Sequence, residues 1–272
     1  MKEREFSEQD RELARAWGAR LENEPYLYRY VSLEGERRDW FATLMRESKL
    51  FFSAFSTLND PFDSRAVIDV SSASQDDIGQ FVASRITPGP ERDAAIENLL
   101  RARSDPAVLN PVLADWTDRQ GVCCLTLSSD DLLMWSYYAS GHKGLCLRFK
   151  TRALFDDLGS GPAVLIPVDY RAQYPALPFV TASRLQLVHT LIGTKASQWQ
   201  HEAEWRLVLR SGEAGLVPFK PSVLDGVIMG CRITDDNAAL VRSLTSERKP
   251  PVKVLRARTM DREYRLQISE ES

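Results

Sequence analysis

The chain has 272 residues, of which 43% are hydrophobic and 27% charged, and its formal net charge is −3. This length and composition are typical of a folded globular protein that buries a substantial core without disulfides or metals. The small negative charge excludes a global attraction to nucleic acid or to an anionic membrane and leaves only a local basic patch as a route to either. No apolar run approaches the roughly 18–20 residues that a membrane span requires, so no membrane partner is expected.

The cysteines and histidines show no metal-ligand spacing. There is no CxxC pair, and the only histidines are His142, His189 and His201. The string "HEAEW" begins like the zinc-protease signature HExxH, but Trp205 stands where the second histidine belongs. The N-terminus is charged and lacks the apolar stretch of a signal peptide. These patterns predict a reduced, cytoplasmic protein that binds no metal.

Apolar spacing divides the first half of the chain into helices and strands. Amphipathic helices are predicted over 1–24 and 36–48, and aromatic and β-branched residues predict strands over 26–33 and 49–57. Residues 74–120 are polar and helical in period, with breaks at "TPGP" and "SDP". We interpret this last stretch as a helical insertion.

The second half alternates short strands with short helices. The predicted strands are 121–129, 142–150, 163–171 and 201–209. A short helix, "DLLMWSYYAS", follows the first of these strands, and a helix and loop over 183–201 lead into the last. The end of the chain, about 223–268, has the pattern strand, helix, strand, strand.

Many short strands, with helices early in the chain and between strands, predict an α+β fold. We expect a single domain over 1–272 that starts with the N-terminal helix 1–24. The core over 25–230 would carry the helical insertion at about 74–120. A C-terminal β-α-β-β extension would cover about 223–268.

The strand "HEAEWRLVL" carries charge on one of its faces. Alternation places Glu202, Glu204 and Arg206 on the same face, with the two carboxylates roughly 6.5–7 Å apart along the chain. One interpretation is a solvated face with cross-strand ion pairs. The other is a pair of acids that performs chemistry.

Four strings stand out along the chain, namely "LYRYVSL", "LFFSAFSTLNDPFD", "CCLTLSSDDLLMWSYYASGHKGLCLRF" and "KASQWQHEAEWRL". These strings resemble a bacterial family known as domain of unknown function 2971. They cover most of residues 26–210. The family name implies no activity.

A weaker resemblance is to mono-ADP-ribosyltransferases of the arginine–serine–glutamate class, which includes several bacterial toxins. That class has an early strand resembling "LYR", a middle strand with a Ser-Thr-Ser triplet, and a late strand with Glu-x-Glu. This chain has Arg29, then "CLT" at 124–126, then Glu202 and Glu204, in the same order. Cys124 and Thr126 take the outer places of the triplet. The resemblance implies an ADP-ribosyltransferase-like split sheet, mixed or antiparallel, with flanking helices.

The resemblance also implies which residues would carry catalysis. Cleavage of the nicotinamide–ribose bond of NAD, here a substrate, develops positive charge on the ribose, which a fixed carboxylate stabilises. Glu204 would stabilise this cation, and Glu202 would orient or deprotonate the incoming nucleophile. Thr126 would hold Glu204 in place by a hydrogen bond.

A second set of residues would bind NAD. Arg29 would clamp the pyrophosphate with its planar guanidinium. Cys124 would share in the site beside Thr126. Trp135, Tyr137 or Tyr138 would stack on nicotinamide, and His142 would meet phosphate. Each has a structural alternative, namely an ion pair for Arg29, core packing for the strand and aromatic residues, and a turn for His142.

These residues predict an NAD-dependent mono-ADP-ribosyltransferase that modifies a protein or nucleic-acid acceptor, in a toxin or phage-defence role. If water replaces the acceptor, the protein is an NAD glycohydrolase. The mismatch at the Ser-Thr-Ser triplet instead favours a catalytically inactive binding or immunity module on the same fold. A two-carboxylate glycosidase is less consistent, because the acids of glycosidases flank a glycosidic bond across a cleft.

Overall fold

A computed structural model describes residues 7–63, 65–210 and 212–271. The fold is α+β, with a mixed sheet and flanking helices, and this part of the prediction is confirmed. Among the described residues, no helix combines the length and the apolar character needed to cross a bilayer.

Nine α-helices are described within these ranges. They are α1 (Glu8–Arg20), α2 (Arg37–Glu47), α3 (Gln75–Ala83), α4 (Pro90–Ala102), α5 (Asn110–Asp118), α6 (Leu132–Tyr138), α7 (Thr151–Leu154), α8 (Arg184–Ile192) and α9 (Asp235–Glu247).

The same ranges contain fourteen strands. They are β1 (Tyr26–Val31), β2 (Lys49–Ala54), β3 (Val67–Asp69), β4 (Gly121–Thr126), β5 (Leu145–Lys150), β6 (Ala163–Pro167), β7 (Asp169–Arg171), β8 (Ala176–Pro178), β9 (Thr194–Ala196), β10 (Glu204–Leu209), β11 (Gly215–Pro218), β12 (Leu224–Met229), β13 (Lys253–Thr259) and β14 (Leu266–Glu270).

Contacts within the chain define two compact units. The first comprises the described parts of Met1–Ala19, Phe55–Gln120 and Val168–Trp199, and the second those of Arg20–Ala54, Gly121–Pro167 and Gln200–Ser272. The first unit holds α3, α4 and α5 and two short parallel strand pairs, β3 with β8 and β7 with β9. The second unit holds the main sheet.

In the first unit, the start of α8 is fixed by side chains. Ser183 and Gln186 form a capping box, in which each side chain accepts a hydrogen bond from a free backbone amide of the other. Asp10 of α1 adds a third acceptor, because the Leu185 amide donates to its Oδ1 at 2.9 Å. This contact ties the first helix to α8.

The sheet of the second unit has ten strands, in the order β11-β2-β4-β1-β5-β12-β13-β14, and β10 lies between β4 and β6. Among the described strands of this sheet, β12 and β13 form a parallel pair and all other pairs are antiparallel. One edge of β4 pairs with β10, while the other pairs with β1 at Thr126 and with β2 at Gly121 and Val122. The sheet therefore divides along that edge of β4.

Apolar side chains cover both faces of this sheet. One face carries Leu27, Leu125 and Leu147 at 2% exposure or less. On the other face, α6 packs against strands β1, β5 and β12–β14 around a fully buried Trp135, and we call this group the Trp135 cluster. Its buried members are Tyr30, Met134, Trp135, Ala139, Cys146, Ile228, Leu255, Ala257 and Leu266.

Two predicted elements outside the glutamate-bearing segment 201–209 differ from the structure. The predicted helix over 1–24 corresponds to α1, which ends at Arg20, and positions 1–6 of that prediction lie outside the described residues. The prediction of a single strand over 163–171 was wrong, because this segment contains two strands, β6 and β7. Strand β6 pairs with β10, whereas β7 pairs with β9 in a separate sheet. The segment 74–120 contains α3, α4 and α5.

Candidate functional site

The segment that carries the two glutamates is not one continuous strand. Residues Ser197–Glu202 form a 3-10 helix, Ala203 has a φ of +42°, and β10 begins only at Glu204. A left-handed backbone at an alanine costs about 1–2 kcal/mol, so the surrounding contacts must hold it. The prediction that Glu202 and Glu204 lie on the same face of one strand was therefore wrong.

Glu202 is held from two sides within the second unit. Its side chain is almost completely buried, and its Oε1 accepts a hydrogen bond from the Tyr138 hydroxyl at 2.6 Å. Its backbone carbonyl accepts a hydrogen bond from Thr126 Oγ1 at 2.5 Å. Thr126 Oγ1 also accepts the Ser128 amide at 3.1 Å. The threonine hydroxyl thus joins the end of β4 to the turn before β10, whereas the prediction had it hold Glu204.

Glu204 forms a forked ion pair with Arg206. Arg206 Nε donates to Glu204 Oε1 at 2.8 Å, and Nη2 donates to Oε2 at 3.0 Å. The two side chains are 5% and 0% exposed. The interpretation of this face as solvated was therefore wrong, because the pair is buried inside the protein.

The strand register aligns four residues on one face of the sheet. Glu204 of β10 pairs with Thr126 of β4, Thr126 pairs with Tyr28 of β1, and Tyr28 pairs with Arg148 of β5. Directly opposed residues point to the same face. We call Glu204, Thr126, Tyr28 and Arg148 the register row. The row runs across four neighbouring strands, β10, β4, β1 and β5, so its ends are three interstrand spacings apart, about 14 Å.

Arg29 lies on the opposite face from this row. It follows Tyr28 along β1, and successive side chains of a strand point to opposite faces. Its Nη1 donates to Cys123 Sγ at 2.7 Å and to the Cys124 carbonyl at 3.4 Å. Arg29 and Glu204, which the resemblance implied would serve one NAD site, therefore lie on opposite faces of the sheet.

Cys124 lies on the face of the register row, since it is the register partner of Arg206. Burial raises the pKa of its thiol well above the ordinary value, and the nearby Glu204 carboxylate raises it further. The thiol is therefore neutral at physiological pH. A neutral thiol adds no charge to the site and is a weak nucleophile.

The aromatic candidates differ in exposure. Trp135 is fully buried in its cluster, where its Nε1 donates to the Ser129 carbonyl at 2.9 Å, so its ring has no free face for a ligand. Tyr138 is half-buried and contacts Glu202. The prediction of a stacking role is thus contradicted for Trp135 and remains a prediction for Tyr138.

His142 lies in the turn between α6 and β5, with a φ of +67°. Its ring is parallel to that of Trp135 at a centroid distance of 6.2 Å, and its carbonyl accepts the Arg232 amide at 3.0 Å. Burial lowers the pKa of His142, and the positive charge of Arg232 lowers it further. The imidazole is therefore neutral at pH 7, which weakens it as a phosphate ligand.

The site as a whole concentrates negative charge. Glu202 and Glu204 place two carboxyl groups in nearly dry surroundings, where electrostatic effects are stronger than in water. No cluster of three or more His, Cys, Asp or Glu within the described part of the chain fits a metal ion. What this arrangement can do is stabilise a developing cation or polarise a bound hydroxyl.

Sequence reasoning missed Tyr28 and Arg148. The signal for Tyr28 was the alternation in "YLYRY", which puts the tyrosines on one face of β1 and Arg29 on the other. Arg148 alternates in the same way within "LCLRFK". Only the register, which connects these strands to β4 and β10, identifies the shared face.

Comparison with known proteins gives one match. Residues 134–207 match a family model described as "Protein of unknown function (DUF2971)". No curated protein and no solved structure matches the chain. The match supports the resemblance to this family and includes most of α6, with Tyr138, and the two glutamates. Nothing in the comparisons supports the resemblance to ADP-ribosyltransferases.

Proposed function

We propose that the chain is an NAD-consuming mono-ADP-ribosyltransferase that modifies a protein or nucleic-acid acceptor. The observation that carries the proposal is the register row, in which Glu204, Thr126 and Tyr28 share one face on three neighbouring strands. Chemistry on a ribose needs a fixed carboxylate, a group that positions it, and a surface for the nucleotide, all on the same side of a sheet. The division of the sheet at β4 is consistent with an ADP-ribosyltransferase-like arrangement.

The residues take distinct roles in this proposal. Glu204 stabilises the ribosyl cation, and the fork from Arg206 fixes its orientation. Glu202 orients or deprotonates the nucleophile, with Tyr138 holding its carboxylate and Thr126 its backbone. Arg29 and Trp135 have no role here, because one lies on the other face and the other is enclosed in the core. We place the activity in the cytoplasm, in a toxin or phage-defence role.

Labelled NAD tests the proposal directly. The protein is incubated with NAD and a cell lysate, and we expect release of nicotinamide and transfer of label to a macromolecule. The variant Glu202→Gln keeps a hydrogen-bond acceptor for Tyr138 but removes the charge, so the rate should fall about 10²-fold or more. Glu47→Gln is the matched control, because Glu47 is half-exposed and paired with Lys49.

Three outcomes separate the hypotheses. Free ADP-ribose without labelled macromolecules would identify an NAD glycohydrolase. If the folded wild-type protein releases no nicotinamide, the proposal is overturned. If Glu202→Gln is as active as the wild type, the assignment of the site is overturned.

A non-catalytic binding or immunity module is the second candidate. The Glu204–Arg206 fork favours it, since a carboxylate whose charge is neutralised in the interior is typical of a structural ion pair. This candidate predicts that NAD neither reacts nor stabilises the fold. The same nicotinamide assay, together with the thermal measurement described in the Discussion, decides between the two.

A further inference from the structure

The face that carries the register row continues past Tyr28 into a group of aromatic and basic side chains. Tyr26 pairs with Lys150 and Tyr28 pairs with Arg148, so these four side chains share one face of β1 and β5. We call them the Tyr–Arg surface. The Tyr26 and Tyr28 rings are 6.3 Å apart, and the Arg148 guanidinium lies 4.7 Å from the centre of the Tyr26 ring.

This surface has an excess of positive charge. Asp225 accepts an ion pair from Arg148 at 2.6 Å and a longer one from Lys150 at 3.9 Å. Two cations therefore share one carboxylate, which leaves a formal charge of +1. The Lys150 side chain is 50% exposed and can turn toward a ligand without disrupting the interior.

The backbone of β12 makes room for the guanidinium. A β-bulge at Asp225 shifts the register between Leu224 and Gly226, and bulges redirect side chains locally. Gly226 is opposite Arg148, and a Cβ there would lie 3.3 Å from Arg148 Nη2 and 3.0 Å from Leu255. The absence of a side chain at Gly226 thus leaves space for the Arg148 fork on this face.

A cavity of suitable size lies in the same unit, near the Tyr28 side of the surface. Ser129, whose side chain acts on the pKa of Tyr28 and so lies near its hydroxyl, lines a cavity of about 370 Å³ together with Asp130, Arg265 and Gln267. Small-molecule sites in proteins start at about 300 Å³. The cavity can therefore take a group the size of a nucleoside, while the Tyr–Arg surface offers tyrosine rings for stacking and two cations that suit phosphate.

We infer that the Tyr–Arg surface and this cavity bind the nucleoside diphosphate part of the substrate, with Arg148 and Lys150 on the phosphates. The inference rests on the proposed function in one respect, which is that the diphosphate belongs to NAD. Arg148 lies about 14 Å from Glu204 along the register row, and an extended dinucleotide is long enough to reach both. The arginine that serves the phosphates is thus on β5, on the same face of the sheet as Glu204, and not on β1.

Binding of ADP, ADP-ribose and inorganic pyrophosphate, measured by calorimetry at low salt, tests the inference. We expect ADP and ADP-ribose to bind and pyrophosphate alone to bind more weakly, because it lacks the stacking group. Lys150→Glu and Arg148→Lys should each weaken ADP binding about tenfold or more, the first by reversing charge and the second by removing the planar fork. Lys49→Glu is the control, since Lys49 is also a half-exposed strand lysine paired with a carboxylate.

The outcomes distinguish a failure of the nucleotide subsite from a failure of the proposed activity. If folded Lys150→Glu and Arg148→Lys bind ADP as tightly as the wild type, or if the wild type binds no ADP, the inference is overturned. Tyr26→Leu provides a third variant that alters no charge, and unchanged ADP binding there would also contradict it. If ADP binds as expected but no nicotinamide is ever released, the subsite stands and the proposed activity fails.

Discussion

The ion pair between Glu204 and Arg206 determines how the site responds to substitution. Arg206 is fully buried, so removal of its partner's charge leaves a cation in surroundings that solvate it poorly. We expect Glu204→Gln to lower the free energy of unfolding by about 3–5 kcal/mol, a typical cost for breaking a buried pair. Urea denaturation followed by circular dichroism measures this loss.

Replacing both partners separates charge from packing. The double variant Glu204→Leu, Arg206→Met removes the two charges together, and such replacements are often neutral or stabilising. We expect it to be more stable than Glu204→Gln, while a ribosyl-transfer activity would be absent from both. If Glu204→Gln is as stable as the wild type, the ion pair contributes nothing to the free energy of unfolding. A loss of activity in Glu204→Gln would then reflect the catalytic role of Glu204 and not a loss of folded protein.

At the scale of elements, the contact between α1 and α8 predicts a dependence on pH. Burial alone would raise the pKa of Asp10, but hydrogen bonds from Ser183, Leu185 and Ser7 outweigh it and lower the pKa below 3.8. A lowered pKa means that the stabilisation is complete above the unfolded pKa of about 3.9 and is lost as the pH falls through the folded value. Asp10→Asn should therefore be less stable than the wild type at pH 7, by about 1–2 kcal/mol.

The difference in free energy of unfolding between Asp10→Asn and the wild type should begin to shrink as the pH falls below about 4, where Asp10 of the unfolded chain takes up a proton. It should vanish only below the lowered pKa of the folded protein, where Asp10 is neutral in both states. Thermal unfolding scans at several pH values between 2.5 and 7 measure it. Glu12→Gln is the control, because Glu12 is exposed on the same helix. A pH-independent difference would show that Asp10 acts through packing and not through its charge.

Local patterns were sufficient to predict most elements around the site. The predicted strands over 26–33 and 49–57 and the helix over 36–48 are confirmed as β1, β2 and α2, with ends that differ by three residues at most. Alternation and helical period depend on neighbouring residues only, so a single sequence contains them. The start of β10 could not be predicted, because the left-handed Ala203 is held by contacts of Glu202 with Thr126 and Tyr138, which are distant in sequence.

The resemblance to ADP-ribosyltransferases could not determine whether Arg29 lies on the same face of the sheet as Glu204. The motif "LYR" suggested that Arg29 belongs to the site, whereas the alternation in β1 only says that Arg29 and Tyr28 face opposite ways. Which of them meets Glu204 depends on the register of β4 against both neighbours, and a shift by one residue would exchange the two faces. Register depends on the burial of a whole face, which no short motif encodes.

For the molecule as a whole, charge and organisation constrain how a ligand binds. The net charge of −3 repels an anionic nucleotide at long range, so affinity must come from local groups. All residues of the register row and the Tyr–Arg surface belong to the second unit. A nucleotide bound there is therefore expected to stabilise that unit in particular.

Calorimetric unfolding with and without NAD tests this expectation and decides between enzyme and inactive module. A ligand that binds only the folded state at 100 times its dissociation constant adds about 2.7 kcal/mol of stability. For chains of this size, that corresponds to a rise in melting temperature of about 5 °C or more. Sodium sulfate at matched ionic strength controls for non-specific anion effects, and Lys150→Glu should reduce the rise. An unchanged melting temperature at millimolar NAD, with the wild-type protein folded, would mean that the register row is a structural element of a module that does not bind NAD.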